Sequence, residues 1–224
     1  VKNLLVENSQ FYDSHETDDM VHLVYSDAIF KNTKFVRSLS DALDVDISNV
    51  IIDNCEFIES GNDSIDLMTS NAIVKNTTFI KSADKAISIG ESSNLLAVGN
   101  LVKFSEIGMQ SKDTSKAYIY DTSFIGNKKA VDAYHKNWRY SEGGTITLDN
   151  TIFKDNLINA TVGKKSKVII NNSTIDTPDN FDTKSVKKGK IVLSDEKIIT
   201  PDFNLEFFKD AITIQHERGG ISYE

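Results

Sequence analysis

The stretch Val50-Ile-Ile-Asp-Asn-Cys-Glu-Phe57 decides the fold, because the chain repeats its pattern 22 residues later as Ala72-Ile-Val-Lys-Asn-Thr-Thr-Phe79. The same Asn-x-x-Phe occurs earlier as Asn8-Ser-Gln-Phe11 and Asn32-Thr-Lys-Phe35. It continues in looser form as Asn100…Phe104, Asp121-Thr-Ser-Phe124, Asn150-Thr-Ile-Phe153 and Asn172-Ser-Thr-Ile175. The Asn-type positions are spaced 24, 22, 22, 24, 21, 29 and 22 residues apart, which marks a repeat architecture.

Ahead of each Asn the residues alternate with period two, the signature of a strand. Ala28/Phe30/Asn32, Val50/Ile52/Asn54, Ala72/Val74/Asn76 and Leu96/Val98/Asn100 are each assigned to one inward face. A second strand follows each Phe, as in Ala42-Leu-Asp-Val45, Ser64-Ile-Asp-Leu67 and Ala86-Ile-Ser-Ile89. Turns of a few residues and the lack of any helical pattern leave no room for βαβ crossovers. The predicted fold is all-β: a single-stranded parallel β-helix of about 7–8 turns, each strand stacked on its equivalent about 4.8 Å away. An inward Asn ladder is expected, its amides pairing between turns so that buried polar atoms are satisfied.

The helix is expected over residues 1–175, with 176–224 as a C-terminal cap and tail. In that cap Thr177–Asp182 reads as loop, and Lys190–Leu193 and Lys197–Thr200 as short strands. An outward apolar column (Leu5, Ile29, Ile51, Ile73, Ala97, Tyr118, Thr147, Ile169) needs cover or a partner: either Asp202–Ile214 folds back over part of it, or it is the seam for another domain or a second copy of the chain. Val1-Lys-Asn-Leu4 already reads as the opening of a turn, so the chain is expected to belong to a longer protein.

A net charge of −8 argues against nucleic acid as partner, since phosphate binding needs clustered Lys and Arg. The single Cys55 excludes an internal disulfide. No apolar run in these residues is long enough for a membrane span, and no signal peptide is expected within this stretch of the chain.

Once the repeat sets the register, outward residues also fall into columns. One reads His22, Asp44, Asp66, Ser88, Gln110, Asp132, and the next Val24, Asp46, Met68, Gly90, Lys112, Tyr134. Asp41, Asp44, Asp46, Asp63 and Asp66 therefore gather on two turns as a candidate calcium site, since hard cations take oxygen ligands. Like charges about 5 Å apart repel by about 1 kcal/mol even in water, so Asp44 or Asp66 is also a candidate acid–base group with a raised pKa. Arg139 and Lys112 are candidates to hold a substrate.

The 29-residue spacing after Asp121 carries an insertion at Tyr134–Gly144, which holds the only Trp of the chain. Tyr134, His135, Trp138, Arg139 and Tyr140, with Asp132 beside them, are the candidate substrate-binding set. Aromatic faces stack on sugar rings and a guanidinium forks onto carboxylates.

On these repeats, residues 3–175 resemble the right-handed parallel β-helices of the pectate-lyase-like superfamily. That resemblance implies the fold, while the activities it spans run from lyases, hydrolases and epimerases to spacers. Gly61-Asn-Asp-Ser-Ile-Asp66 is similar in outline to the Asp-Asp element of polygalacturonases. The Gly-His-Gly, Arg-Ile-Lys and Asp-Pro-His-Glu elements of carbohydrate-active relatives are absent, so no catalytic role carries over. Comparable Ser-Asp-Ala turns in bacterial multidomain proteins imply a non-catalytic module of a surface or secreted protein that binds polysaccharide or presents other domains of its own chain. A lyase, hydrolase or epimerase acting on an acidic glycan is the alternative.

Overall fold

A computed structural model describes residues 1–177, 181–182 and 189–194. The described chain winds into a parallel β-solenoid of about eight turns, whose three sheets hold nine, eight and eight strands. A representative turn runs through Asn49–Asp53 in sheet 1, Glu56–Ile58 in sheet 2 and Ile65–Met68 in sheet 3. Sheet 2 separates the Phe of each repeat onto its own three-residue strand, so a turn has three strands rather than two.

The chain turns its three corners by the same device. A residue at φ between 44° and 66° bends the backbone sharply: Asn32, Asn54 and Asn76 after sheet 1, Arg37, Glu59 and Lys81 after sheet 2, Tyr25, Ile47 and Thr69 after sheet 3. The next residue points inward and is small and polar. Ser48 N–H donates to Ser70 Oγ (3.0 Å), and Ser70 Oγ donates to the carbonyl of Met68 (2.9 Å). Only a side chain that both accepts and donates can close this relay, which explains buried Ser26, Ser48, Ser70, Thr33, Thr77 and Thr122 in an otherwise apolar interior.

The expected ladder exists, but on the outside. Asn32 Nδ2 donates to Asn8 Oδ1 (3.2 Å) and Asn54 Nδ2 to Asn32 Oδ1 (2.7 Å), with these amides exposed. The left-handed backbone at each Asn shifts the alternation by one, so that Thr33, Cys55 and Thr77 take the inward place. A second, half-buried ladder joins Asn94 to Asn71 (3.0 Å), Asn71 to Asn49 (2.9 Å) and Asn49 to Asp27 (2.8 Å).

One turn departs from the expected register. Gly99, at φ 65°, takes the ladder corner and Asn100 sits inside, where its Oδ1 accepts from Thr77 N–H (2.9 Å). Val102 therefore replaces the core Phe, while Phe104 is turned out at a corner. Phe11, Phe35, Phe57 and Phe79 stack with centroids 5.1, 4.6 and 5.1 Å apart, and Phe124 and Phe153 resume the stack beyond Val102. The same shift puts Leu96, not Ala97, between Ile73 and Tyr118 in the outward apolar column.

That column is not uniformly exposed. Ile73, Leu96, Tyr118 and Thr147 are buried, whereas Leu5 and Ile29 are open and line a groove of about 500 Å³ with Ile51. The expected cover, Asp202–Ile214, lies outside the described residues, as does the strand expected at Lys197–Thr200. Phe181–Asp182, expected as loop, pairs with Ile158–Val162, and Lys190–Ser194 extends sheet 1 beyond residue 175. Among the described residues no helix is long and apolar enough to cross a membrane.

Candidate functional site

The outer face of sheet 3 carries the column expected from the repeat. Cα pairing runs His22, Asp44, Asp66, Ser88, Gln110, Asp132 and Thr161 in successive turns. Its two ends differ because their neighbours differ.

At the N-terminal end the face is acidic. His22 Nε2 lies 3.1 Å from Asp46 Oδ2 and 3.3 Å from Asp44 Oδ2, and Nδ1 lies 3.9 Å from Asp19 Oδ2. Partial burial pulls the His22 pKa down, but the hydrogen bond to Asp46 and the charges of Asp44, Asp46 and Asp19 outweigh it and leave it raised. Burial, reinforced by neighbouring Asp46, pushes the Asp44 carboxyl up to about 7. Asp66 Oδ1 is buried and has no hydrogen-bond partner among the described residues.

The expected five-carboxylate calcium group is divided. Asp41 is turned into the corner, where its Oδ1 accepts from Asn62 Nδ2 and from Asp63 N–H, both at 2.8 Å. Asp63 is buried, accepts from Lys85 N–H (2.9 Å) and pairs with Lys85 Nζ (3.2 Å). Both carboxylates cap backbone at the sheet entrance, which removes them from the outer face. Asp44, Asp46 and Asp66 stay on it, joined by His22 and Asp19.

Towards the middle the face is covered, so Ser88, Gln110 and Lys112 are buried rather than exposed. Lys112 lies along the sheet and donates to Ser88 Oγ (3.1 Å). Gly90 makes the room, since a Cβ there would sit 2.4 Å from Lys112 Cε. With its ammonium sequestered, Lys112 is not presented to a substrate. Gln110 Nε2 donates to Asp132 Oδ2 (2.7 Å) and Thr161 Oγ1 donates to the other oxygen, so Asp132 is held within the column.

The inserted loop leaves sheet 3 at Tyr134 and is pinned at several points. Asp113 Oδ1 accepts from the N–H groups of Lys136 and Asn137, both at 2.8 Å. Asn137 Oδ1 accepts from Arg139 N–H (3.0 Å), His135 Nε2 lies 2.8 Å from the Tyr140 carbonyl, and Lys165 Nζ donates to the Ser141 carbonyl (2.7 Å). Tyr134 is half-buried, which raises its hydroxyl pKa. Trp138, by contrast, is 84% exposed, with the Arg139 guanidinium 5.9 Å from its ring centroid.

The sequence of residues 1–140 matches the family model described as the right-handed beta helix region. The chain belongs to the right-handed β-helix family. No curated protein matches the sequence. Among solved structures the chain is weakly similar to a trypsin-treated variant of QnrB1, a plasmid-mediated fluoroquinolone resistance protein, with 10% identity, 99% of each chain covered and a TM-score of 0.21. Full-length QnrB1 gives 14% identity, 90% of this chain and 98% of the other covered, and a TM-score of 0.17.

In this β-helix two participants lie outside the candidate set read from the repeat. Asp19 is the first residue of its sheet 3 strand, Asp19–Val24, and Asp113 is a corner residue equivalent to Glu91. Counting corners back from the Ser26, Ser48, Ser70, Ser93, Ser115 series finds acids in left-handed positions at Glu91 and Asp113.

The raised pKa of Asp44 has a consequence for stability. The unfolded carboxyl titrates near its ordinary value of 3.8, whereas the folded one holds its proton to about 7. Between these values unfolding releases a proton, so this group's contribution falls as pH rises and its loss is complete above pH 7. Asp44→Asn is therefore expected to stabilise the EDTA-treated protein by about 2 kcal/mol or more at mildly alkaline pH and to change little near pH 4. Urea melts at both pH values check this; a variant without gain on the alkaline side contradicts it.

Proposed function

We propose that this β-helix is a non-catalytic module that recognises polysaccharide through the 134–144 loop and the adjoining outer face of sheet 3, within a larger bacterial surface or secreted protein. The observation that carries the reading is an indole left in solvent on a loop that is otherwise hydrogen-bonded in place. An exposed Trp forgoes a large burial gain, and a pinned loop keeps ring and guanidinium pre-organised. A flat ring beside a cation suits the apolar face of a sugar and an adjacent uronate carboxylate.

Trp138 is the only tryptophan, so fluorescence excited at the red edge, where tyrosine does not absorb, reports on this loop alone. Titration with a panel of neutral and uronate oligosaccharides is expected to give a saturable change for at least one of them. Calorimetry on Trp138→Ala should then show binding weaker by about ten-fold or more. A panel without any response, or calorimetric binding that survives Trp138→Ala, defeats the reading.

A second reading, polysaccharide cleavage or epimerisation, is favoured by one feature, the Asp44 carboxyl held near neutrality beside Asp46. Incubation with polyuronates that yields neither reducing ends nor unsaturated or epimerised products removes it.

A further inference from the structure

The acidic end of sheet 3 has a property separate from glycan recognition. Asp19, His22 and Asp44 each offer a ligand atom within 4.8 Å of the other two. Around His22 Nε2, the oxygens of Asp46 and Asp44 stand at 3.1 and 3.3 Å. Two ligand atoms about 2.0–2.1 Å from one tetrahedral ion are separated by about 3.3 Å, which is the gap between His22 Nε2 and Asp44, while Asp46 stands at hydrogen-bond distance from the same nitrogen.

Charge points the same way. Asp19, Asp44, Asp46 and Asp66 crowd this end, and among the described residues the only cationic side chain in ion-pair contact with any of them is His22. Nearby Lys85 is paired with Asp63 and Asp84. Asp66, next along the column from Asp44, keeps a buried Oδ1 that no hydrogen bond from the described residues satisfies. A buried carboxylate oxygen without a donor is costly and draws a cation or its bound water.

We propose that Asp19, His22 and Asp44 form a site for one divalent transition ion of the zinc type, bridging the first two turns of sheet 3, with Asp46 beside it. The imidazole nitrogen is the discriminating ligand. Calcium prefers six to eight oxygens at about 2.3–2.6 Å, whereas zinc and its neighbours take mixed nitrogen and carboxylate sets of about four. The ion joins ligands from two turns, so it clamps the N-terminal turn to the next and stabilises the folded state by mass action.

The test uses the whole chain, stripped with EDTA and titrated near neutral pH with ZnCl2 or CaCl2. Calorimetry is expected to find one Zn2+ per chain and thermal melts a raised Tm, with Ca2+ giving neither. Co2+ should add visible absorption bands of a low-coordinate nitrogen–oxygen site. His22→Ala should weaken Zn2+ binding by about ten-fold or more, while His15→Ala and His135→Ala bind as the parent does. Asp44→Asn, which relieves charge on this face and whose fold circular dichroism checks, should weaken it as well. The proposal is overturned by the lack of a saturable one-to-one Zn2+ site, by undiminished affinity in His22→Ala, or by Ca2+ binding as tight as Zn2+. None of these outcomes depends on glycan binding at Trp138.

Discussion

Asp113→Ala is expected to cost about 2–4 kcal/mol and to free the 134–144 loop. Asp113 is fully buried at a corner of the solenoid, and one of its oxygens takes both the Lys136 and Asn137 N–H groups at 2.8 Å. Hydrogen bonds to a charged acceptor contribute about 1.5–3 kcal/mol each, part of which is recovered when the released amides meet water. Alanine adds the strain of a left-handed backbone, since Asp113 sits at φ 53° and Asp and Asn tolerate that region best. Asp113→Asn keeps an acceptor oxygen and the backbone preference, so it should lose only about 1 kcal/mol. Two readouts separate fold from loop. Denaturant melts give the stability, and the fluorescence anisotropy of Trp138 gives the local motion, expected to fall markedly in the alanine variant. Unchanged anisotropy in Asp113→Ala would show that the loop is held by its other contacts.

The largest effect on the fold is expected from Phe57→Ala, at about 3–5 kcal/mol. Phe57 is fully buried, stacked between Phe35 at 4.6 Å and Phe79 at 5.1 Å. Its turn is joined to its neighbours by narrow strands of which only Glu56–Ile58 lies in sheet 2. A solenoid is stabilised turn by turn through nearest-neighbour contacts, so a cavity here weakens the coupling between the turns before it and those after it. Amide hydrogen exchange should therefore accelerate most in the strands from Leu4 to Asp53, with the later turns, supported by Phe124 and Phe153, changing less. Phe57→Leu keeps most of the volume and should cost well under half as much. Uniform acceleration throughout the solenoid would mean that it unfolds as one unit and that the turn-by-turn account is wrong.

Both sites also show how much of the molecule can be read in the residues alone. The column from His22 through Asp44, Asp66, Ser88 and Gln110 to Asp132 was legible because in-register parallel stacking turns a repeat length into a map of neighbours. Its environment was not. Lys112 is in the column one expects for it, yet it is buried along the sheet over Gly90, because the room above the glycine and the Ser88 hydroxyl decide where a long side chain lies. Asp41 and Asp63 occur in the same Asp-rich segments as Asp44 and Asp66, but the corner amides of the next turn capture them. The ladder shows the same distinction at the backbone. Asn recurs because it accepts the left-handed conformation, and that conformation is what turns it outward and hands the interior to Thr and Ser.

By itself, then, the order of residues determined a parallel stack of turns near 22 residues long, its core of aromatic and aliphatic columns, and the position of one oversized turn. These follow from periodicity, and periodicity is a one-dimensional property that survives without coordinates. Only the tertiary structure decided which carboxylates stand free beside His22, that Trp138 rather than Lys112 faces solvent, and that Asp113 anchors the loop. Those outcomes depend on φ at single corners and on contacts between residues more than twenty apart, such as Asp113 with Lys136, and no local pattern encodes them.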